Sequence, residues 1–356
     1  MSDISQIDRN FALSEELGRD DVTFFDVKQT PQYLFGIRYD ETGFFRMPHE
    51  IAANVNDGVA QLYRHTSGGR LRFVTNSPFV AISCKMPTQS LFSHMPSTGI
   101  SGFDLYVDGV FQGGFIPPCA PEWTGGYTRL QSVRRDEGKM HEILIHFPLY
   151  NPVSELYVGL QTGATIEAAP DYIHKQPVVY YGSSITQGGC VSRPGLAYPA
   201  IISRKTGSDF INLGFSGSGK GECIMAEYVA SLKPSVFVLD YDHNAPTLEH
   251  LKNTHEPFFR VFREACPNTP VVMVTSPDSR WRSNWDGRRE VIYETYEHAI
   301  REGDTAVSFV DGLSLFGDEN FDDCTVDNCH PNDIGHARMA KVIGAAVARY
   351  LNKTED

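Results

Sequence analysis

The chain has 356 residues, 41% hydrophobic and 21% charged, the make-up of a globular protein long enough for two domains of ordinary size. Its formal net charge of −13 repels phosphate backbones and anionic membrane surfaces, and no apolar run reaches the length of a membrane span, so neither a nucleic-acid nor a membrane partner is expected. The acidic N-terminal stretch lacks the apolar core of a secretory signal and the seven cysteines form no CxxC pair, so reduced thiols in a cytoplasmic protein are expected.

From 22 to 165 the sequence is a series of short apolar stretches broken by Gly, Pro, Asn and Asp. Phe103, Leu105 and Val107 alternate with Asp104, Tyr106 and Asp108, a period of two that marks a half-buried strand. Asp108-Gly109 and then Val110-Phe111 come next, the pattern of a tight hairpin. Runs at 70–73, 79–84, 142–147 and 155–160 read as further strands, and many short strands at this spacing predict an antiparallel β-sandwich.

The texture changes after Pro170. The stretch 161–176 reads as the connection between an accessory domain at 1–170 and a second domain at 171–356. Val178-Val179-Tyr180-Tyr181, Phe210-Ile211-Asn212-Leu213 and runs at 236–239, 271–274 and 307–310 are short and continuous, as strands buried on both faces are. Helical patterns separate them. The last carries Ile334, Ala337, Ala340, Ile343, Val347 and Leu351 as an apolar stripe. This alternation predicts an α/β domain with a five-stranded parallel sheet covered by helices on both sides. Ligands of such sheets sit beyond the C-terminal ends of the strands, so residues that directly succeed strands are the candidates for chemistry.

Four segments meet that condition. After the first run comes Gly182-Ser183-Ser184, where a turn exposes the Ser184 hydroxyl; the competing reading is a serine that caps the next helix, and the GxSxG elbow is absent. After the second, 212–221 carries four glycines, whose N–H groups can approach a bound group closely. Gly217 N–H is then a candidate oxyanion donor. A phosphate loop is the rival: Gly214, Gly219 and Lys220 fit GxxxxGK, but Gly221 stands where a hydroxyl must hold magnesium. After the third run the Asn244 amide is a further donor, against a plain Asx turn, and His243 reads as a partly exposed loop residue. Before the last helix, Asp327-Asn328-Cys329-His330 lets the carboxylate turn back onto the imidazole and leaves the other ring nitrogen for the serine. Asn332 or Asp333 suits the cap of that helix, and His336 is expected on its surface. Cys324, Cys329 and His330 lack the paired spacing of a zinc site, so neither a metal nor another cofactor is expected. Nucleophile, base, orienting carboxylate and anion donors form the set a serine acyl-transfer site requires.

In this order the segments GSSITQG, NLGFSGSGKGE, DYDHN and DNCHPNDIGH resemble the blocks of the SGNH (GDSL-type) hydrolases, over 178–351. The resemblance implies that Ser184 is the nucleophile, His330 the general base and Asp327 its orienting partner, with the Ser184 N–H, Gly217 N–H and Asn244 amide as oxyanion hole. Two positions depart from the family pattern. Ser183 replaces the Asp of the GDS(L) signature, and Asp242-His243 stands where the GxND block has Gly and a variable residue. Gly102-Phe103-Asp104-Leu105-Tyr106 looks like the GxDLY motif of sandwich domains attached to one branch of the family, and Ser192-Arg193-Pro194-Gly195 and Ala197-Tyr198-Pro199 look like that branch too. The resemblance also implies a flavodoxin-like sheet of order 2-1-3-4-5, preceded by a jelly-roll-like β-sandwich.

The expected function is a serine esterase for small acyl esters, above all acetyl esters, with carbohydrates as the alcohol. Acyl transfer by the same site and a non-catalytic carbohydrate-binding protein are the alternatives. Trp281 and Trp285, beside Arg280 and Arg282, are expected to line a sugar or acyl pocket or to pack between the domains. Nothing in the sequence sets an oligomeric state.

Overall fold

Alternating and continuous apolar patterns become two kinds of sheet in the computed structural model, which describes residues 17–118, 122–134, 136, 138–277 and 287–352. Strands β1 (Val22–Asp26), β2 (Leu34–Phe35), β3 (Arg38–Asp40), β4 (Gly43–Phe45), β5 (Arg70–Thr75), β6 (Phe79–Lys85), β7 (Phe103–Val107), β8 (Val110–Phe115), β9 (Gly126–Ser132), β10 (His141–His146), β11 (Glu155–Gln161) and β12 (Ile166–Ala168) make the first part. One antiparallel sheet runs β1-β11-β6-β9; the other runs β12-β5-β10-β7-β8, with β2 added on β5. Leu71, Phe73, Val80, Ile82, Leu105, Ile143 and Val158, drawn from both sheets, share one apolar core. Asp108 and Gly109 turn β7 into β8 with φ of 50° and 75°, a backbone that matches the strand twist of a two-residue hairpin.

Strand β7, expected to be half-buried, is buried along its whole length. The alternation in β7 is real, but its polar side does not face water: Asp104 is 0% and Tyr106 4% exposed. The second domain covers that side. Arg193 Nη1 reaches Asp104 Oδ2 at 3.0 Å and the Tyr106 hydroxyl at 2.6 Å, and the Gly195 N–H donates to Asp104 Oδ2 at 2.8 Å.

Strands β13 (His174–Gly182), β14 (Ser208–Gly214), β15 (Val236–Asp240), β16 (Val271–Val274) and β17 (Val307–Val310) form a five-stranded parallel sheet. Its order is β14-β13-β15-β16-β17, the 2-1-3-4-5 order that the resemblance implies. Successive residues serve opposite faces. Val179, Tyr181, Phe237, Leu239 and Met273 meet the helices Cys223–Ser231, Leu248–Ala265 and Arg288–Arg301. Val178, Tyr180, Val238, Val272 and Val274 meet the helices Tyr198–Thr206 and Asp333–Leu351. Two covered faces explain why these runs are apolar throughout.

The closing helix is rotated from the expected stripe at its start. Ala340, Ile343, Val347 and Leu351 are buried, but Ile334 is 50% exposed and Ala337 also faces out. The inward positions of the first turns are Gly335, His336 and Met339. His336, expected at the surface, is therefore fully buried: Tyr198 N–H donates to its Nδ1 at 3.2 Å, and its Nε2 lies 3.2 Å from Gly189 O. Burial lowers its pKa to about 4, which keeps the ring neutral.

Buried polar groups join the two parts. Arg70, 1% exposed, donates to Gly68 O at 2.6 Å, to Phe210 O and to the Asp209 carboxylate, while its Nε meets the Tyr172 hydroxyl at 3.1 Å. Segment 161–176 contains β12, paired with β5. Among the described residues no helix is long and apolar enough to cross a membrane.

Candidate active site

The C-terminal end of β13 runs straight into the short helix Ser184–Gln187. Ser183 caps it, its Oγ accepting from the Ile185 N–H at 3.2 Å. The capping role thus falls to Ser183, and this leaves the Ser184 hydroxyl for other work. Ser184 Oγ lies 3.0 Å from His330 Nε2, and His330 Nδ1 lies 2.8 Å from Asp327 Oδ2. Asp327 Oδ1 also accepts from the Cys329 and His330 N–H groups at 3.1 and 2.7 Å. Asn328 takes φ of 61°, and Val326 N–H closes the turn on His330 O at 3.0 Å. This local Asx-type turn is what a spacing of two residues between Asp and His makes possible.

The electrostatics come from these contacts. Hydrogen bonding to the Cys329 thiol raises His330, burial opposes it, and the Asp327 carboxylate adds to the rise, for a value of about 9. Burial alone would raise Asp327, but the His330 N–H and imidazole outweigh it and hold the carboxylate below its usual range. Ser184 itself is 9% exposed, at the floor of the edge.

Gly217 and Asn244 come from the loops after β14 and β15, the strands on either side of β13. Asn244 Nδ2 donates to Phe215 O at 2.8 Å, an acceptor shared with the Ser218 and Gly219 N–H groups. That bond uses one amide N–H and aims the side chain along the Gly217 turn; the amide carries a second. Gly217 is exposed with φ of 66°, and a Cβ there would meet nothing within 4 Å, so the backbone conformation rather than space favours glycine. The Phe215 N–H donates to Gly182 O at 3.0 Å and the Ser216 N–H to Gln187 Oε1 at 3.0 Å, which ties this turn to the serine loop. Where the family pattern has Gly, Asp242 is buried; its carboxylate accepts from the Ser276 N–H at 2.9 Å and so anchors the turn that bears Asn244.

The rival readings meet specific obstacles. In the glycine-rich loop the N–H groups of Gly219, Lys220 and Gly221 go to Phe215 O, Glu222 and the Tyr181 hydroxyl, so they are spent inside the protein rather than offered to a phosphate. Cys324 is buried away from Cys329 and His330, with Asn320 O as its partner. Asp327, Cys329 and His330 do bring ligand atoms within 4.8 Å of one another, but both His330 nitrogens are engaged by Ser184 and Asp327. Trp281, Trp285, Arg280 and Arg282 lie outside the described residues. Two surface cavities, of about 700 and about 350 Å³, open at the other end of the sheet, beside Ala306 ahead of β17 and Gly207 ahead of β14.

Other residues support the site in roles that no local sequence pattern announces. Tyr150, at the end of the sandwich, donates from its hydroxyl to Ser184 O at 2.8 Å. Beneath the serine helix, Asp240 accepts from the Tyr198 hydroxyl at 2.9 Å and Thr186 Oγ1 at 3.1 Å; burial, then the neighbouring Asp242, pushes it up to about 8. Tyr198 lies in the Ala-Tyr-Pro stretch that the family resemblance singles out, which was the available signal.

Comparison with known proteins agrees with this picture. Residues 175–348 match the GDSL-like lipase/acylhydrolase family, and residues 22–166 match the GxDLY domain, the N-terminus of SGNH-hydrolase-type esterases. No curated protein matches the chain. Among solved structures, a candidate GDSL-like lipase from Bacteroides ovatus ATCC 8483 is 28% identical with a TM-score of 0.82, over 93% of this chain and 98% of that one. The salicylyl-acyltransferase SsfX3 from a tetracycline biosynthetic pathway is 20% identical, TM-score 0.68, over 93% and 95%. A family two carbohydrate esterase from Clostridium thermocellum, in complex with cellohexaose, is 16% identical, TM-score 0.62, over 93% and 99%. The last two likenesses are likenesses of fold.

Proposed function

The chain belongs to the SGNH (GDSL-type) hydrolases, in the branch that carries a GxDLY sandwich domain, and from that premise we propose that it is a serine esterase for small acyl esters, chiefly acetyl esters of carbohydrate hydroxyls. The observation that carries this reading is the unbroken chain of contacts from Ser184 Oγ through His330 to Asp327, at 3.0 and 2.8 Å.

In the proposed mechanism the neutral His330 imidazole takes the Ser184 proton through Nε2 as Oγ attacks the ester carbonyl. Asp327 holds the Nδ1 proton and stabilises the imidazolium. Negative charge that develops on the carbonyl oxygen is received by the Ser184 N–H, the Gly217 N–H and the Asn244 amide. The intermediate collapses, the C–O bond to the alcohol breaks, and His330 returns the proton to the departing oxygen. Water then attacks the acyl-enzyme, with His330 again as base, and releases the acid and free Ser184. The carbohydrate part of the proposal draws on the carbohydrate esterase of the same fold. A fold shared with an acyltransferase favours one second reading, in which an acceptor alcohol replaces water at the last step.

A panel of acetyl, butyryl and longer p-nitrophenyl esters, assayed beside acetylated sugars, tests the proposal. Acetyl esters should be cleaved fastest, and Ser184→Ala should be inert on all of them. Undiminished turnover by Ser184→Ala would overturn the assignment. Added acceptor alcohols separate hydrolysis from transfer through the products formed.

A further inference from the structure

The segment between β6 and β7 belongs to the sandwich in sequence but lies against the candidate active site. Its base is fastened to the serine loop. Thr98 Oγ1 donates to Ser192 O at 2.6 Å, and Gly99 approaches so closely that a Cβ there would lie 2.3 Å from Val191 O. Met95 and Ile100 share an apolar cluster with Cys190 and Val191. Higher up, Ser90 is held by its N–H on Asn151 Oδ1 and its hydroxyl on Tyr150 O, both at 2.8 Å. Between these anchors the chain leaves Phe92 38% exposed and His94 exposed. The Phe92 ring stands 5.2 Å from that of Tyr150, whose hydroxyl holds Ser184 O. The His94 ring stands 5.3 Å from the His330 ring, with ring nitrogens of the two within 4.8 Å.

The position relative to His330 decides what this wall touches. In a serine esterase the general base lies between the nucleophile and the departing alcohol, because it must hand its proton to that oxygen. The carbonyl oxygen points the other way, toward the donors on the loops after β14 and β15. A residue that approaches the substrate past His330 therefore meets the alcohol and not the acyl group. His94 offers a ring N–H or acceptor for a hydroxyl, and Phe92 offers a half-exposed ring face for an apolar sugar face.

We propose that Phe92 and His94, carried by the sandwich domain, form the alcohol-binding wall of the active site and select the leaving group. This rests on the proposed esterase activity and names its substrate side. The sandwich is thereby part of the catalytic unit rather than an appended binding module.

The experiment compares full-length wild type, Phe92→Ala and His94→Ala on two acetyl esters that share one acetyl-enzyme, an acetylated sugar and ethyl acetate. Both side chains are exposed, so folding is not at stake. One neutral hydrogen bond or ring contact is worth about three- to tenfold. Each variant should lose about that factor in the ratio of kcat/KM for sugar ester over ethyl ester. Hydrolysis of the trapped acetyl-enzyme should keep its rate, since the alcohol has already left. A fall by the same factor on both esters, or slower acetyl-enzyme hydrolysis, would overturn the proposal. Fluorophosphonate labelling of Ser184 separates the two readings: labelling in all three proteins with unchanged alcohol preference sinks this proposal alone, and no labelling in any of them sinks the esterase reading itself.

Discussion

Two carboxylate–imidazole pairs in this protein share a local geometry and differ in their surroundings. Asp104 and His146 face each other on β7 and β10 at 2.7 Å, 0% and 3% exposed. Asp327 and His330 meet at 2.8 Å within one loop at the edge of the parallel sheet, where solvent reaches both. The far nitrogen of His146 faces Arg204 Nη1 at 3.5 Å, a group that does not give up a proton in proteins. The far nitrogen of His330 faces a serine hydroxyl at 3.0 Å. Burial lowers His146, whereas the contacts of His330 raise it to about 9. An Asp–His contact is therefore no catalytic signature by itself. What the second nitrogen faces, and whether a substrate can arrive there, separates a structural pair from a chemical one.

Exchanging each carboxylate for its amide is the strongest attempt to break that distinction. Asp327→Asn should reduce kcat on acetyl esters on the order of 10⁴-fold, because the imidazole loses its tautomer and its counter-charge, while thermal unfolding stays the same. Asn244→Ala should come next, with a loss of about 10²–10³ in kcat and little change in folding. Asp104→Asn should invert the pattern. It leaves the half-buried Arg193 without its carboxylate and the buried His146 with a weaker hydrogen-bond partner, costs about 1–3 kcal/mol of stability by denaturant unfolding, and spares the reactivity of Ser184 toward a fluorophosphonate. Equal losses of activity in Asp104→Asn and Asp327→Asn would erase the contrast. The smallest effect concerns pH. Only neutral His330 can accept the serine proton, and its pKa lies above the usual histidine value, so kcat/KM should rise as pH increases through about 9. Cys329→Ala removes the largest raising contact and should move that rise to lower pH.

Much of this arrangement was legible in the sequence where it depends on near neighbours along the chain. Continuous apolar runs gave the parallel strands because both faces of that sheet are covered, and Asp-x-x-His gave its turn because two residues suffice to bring the carboxylate back. Ser184, Gly217 and Asn244 come after adjacent strands, so the topology of the sheet gathers their loops. What escaped depends on contacts between distant segments. The polar side of β7 looked solvated because nothing in its alternation announces a second domain. His336 keeps the helical phase of Ala340, Ile343 and Val347, yet a histidine invites a surface reading. The approach of His94 to His330 arises from the docking of the two domains and has no local pattern at all.

The proposed mechanism stands on Ser184 as the acylated nucleophile. Mass spectrometry of the protein quenched during turnover of an acetyl ester tests it most directly. One added acetyl group is expected on the peptide that contains Ser184, absent from Ser184→Ala and His330→Ala. An acetyl group on another residue, or steady hydrolysis with Ser184 never modified, would contradict it.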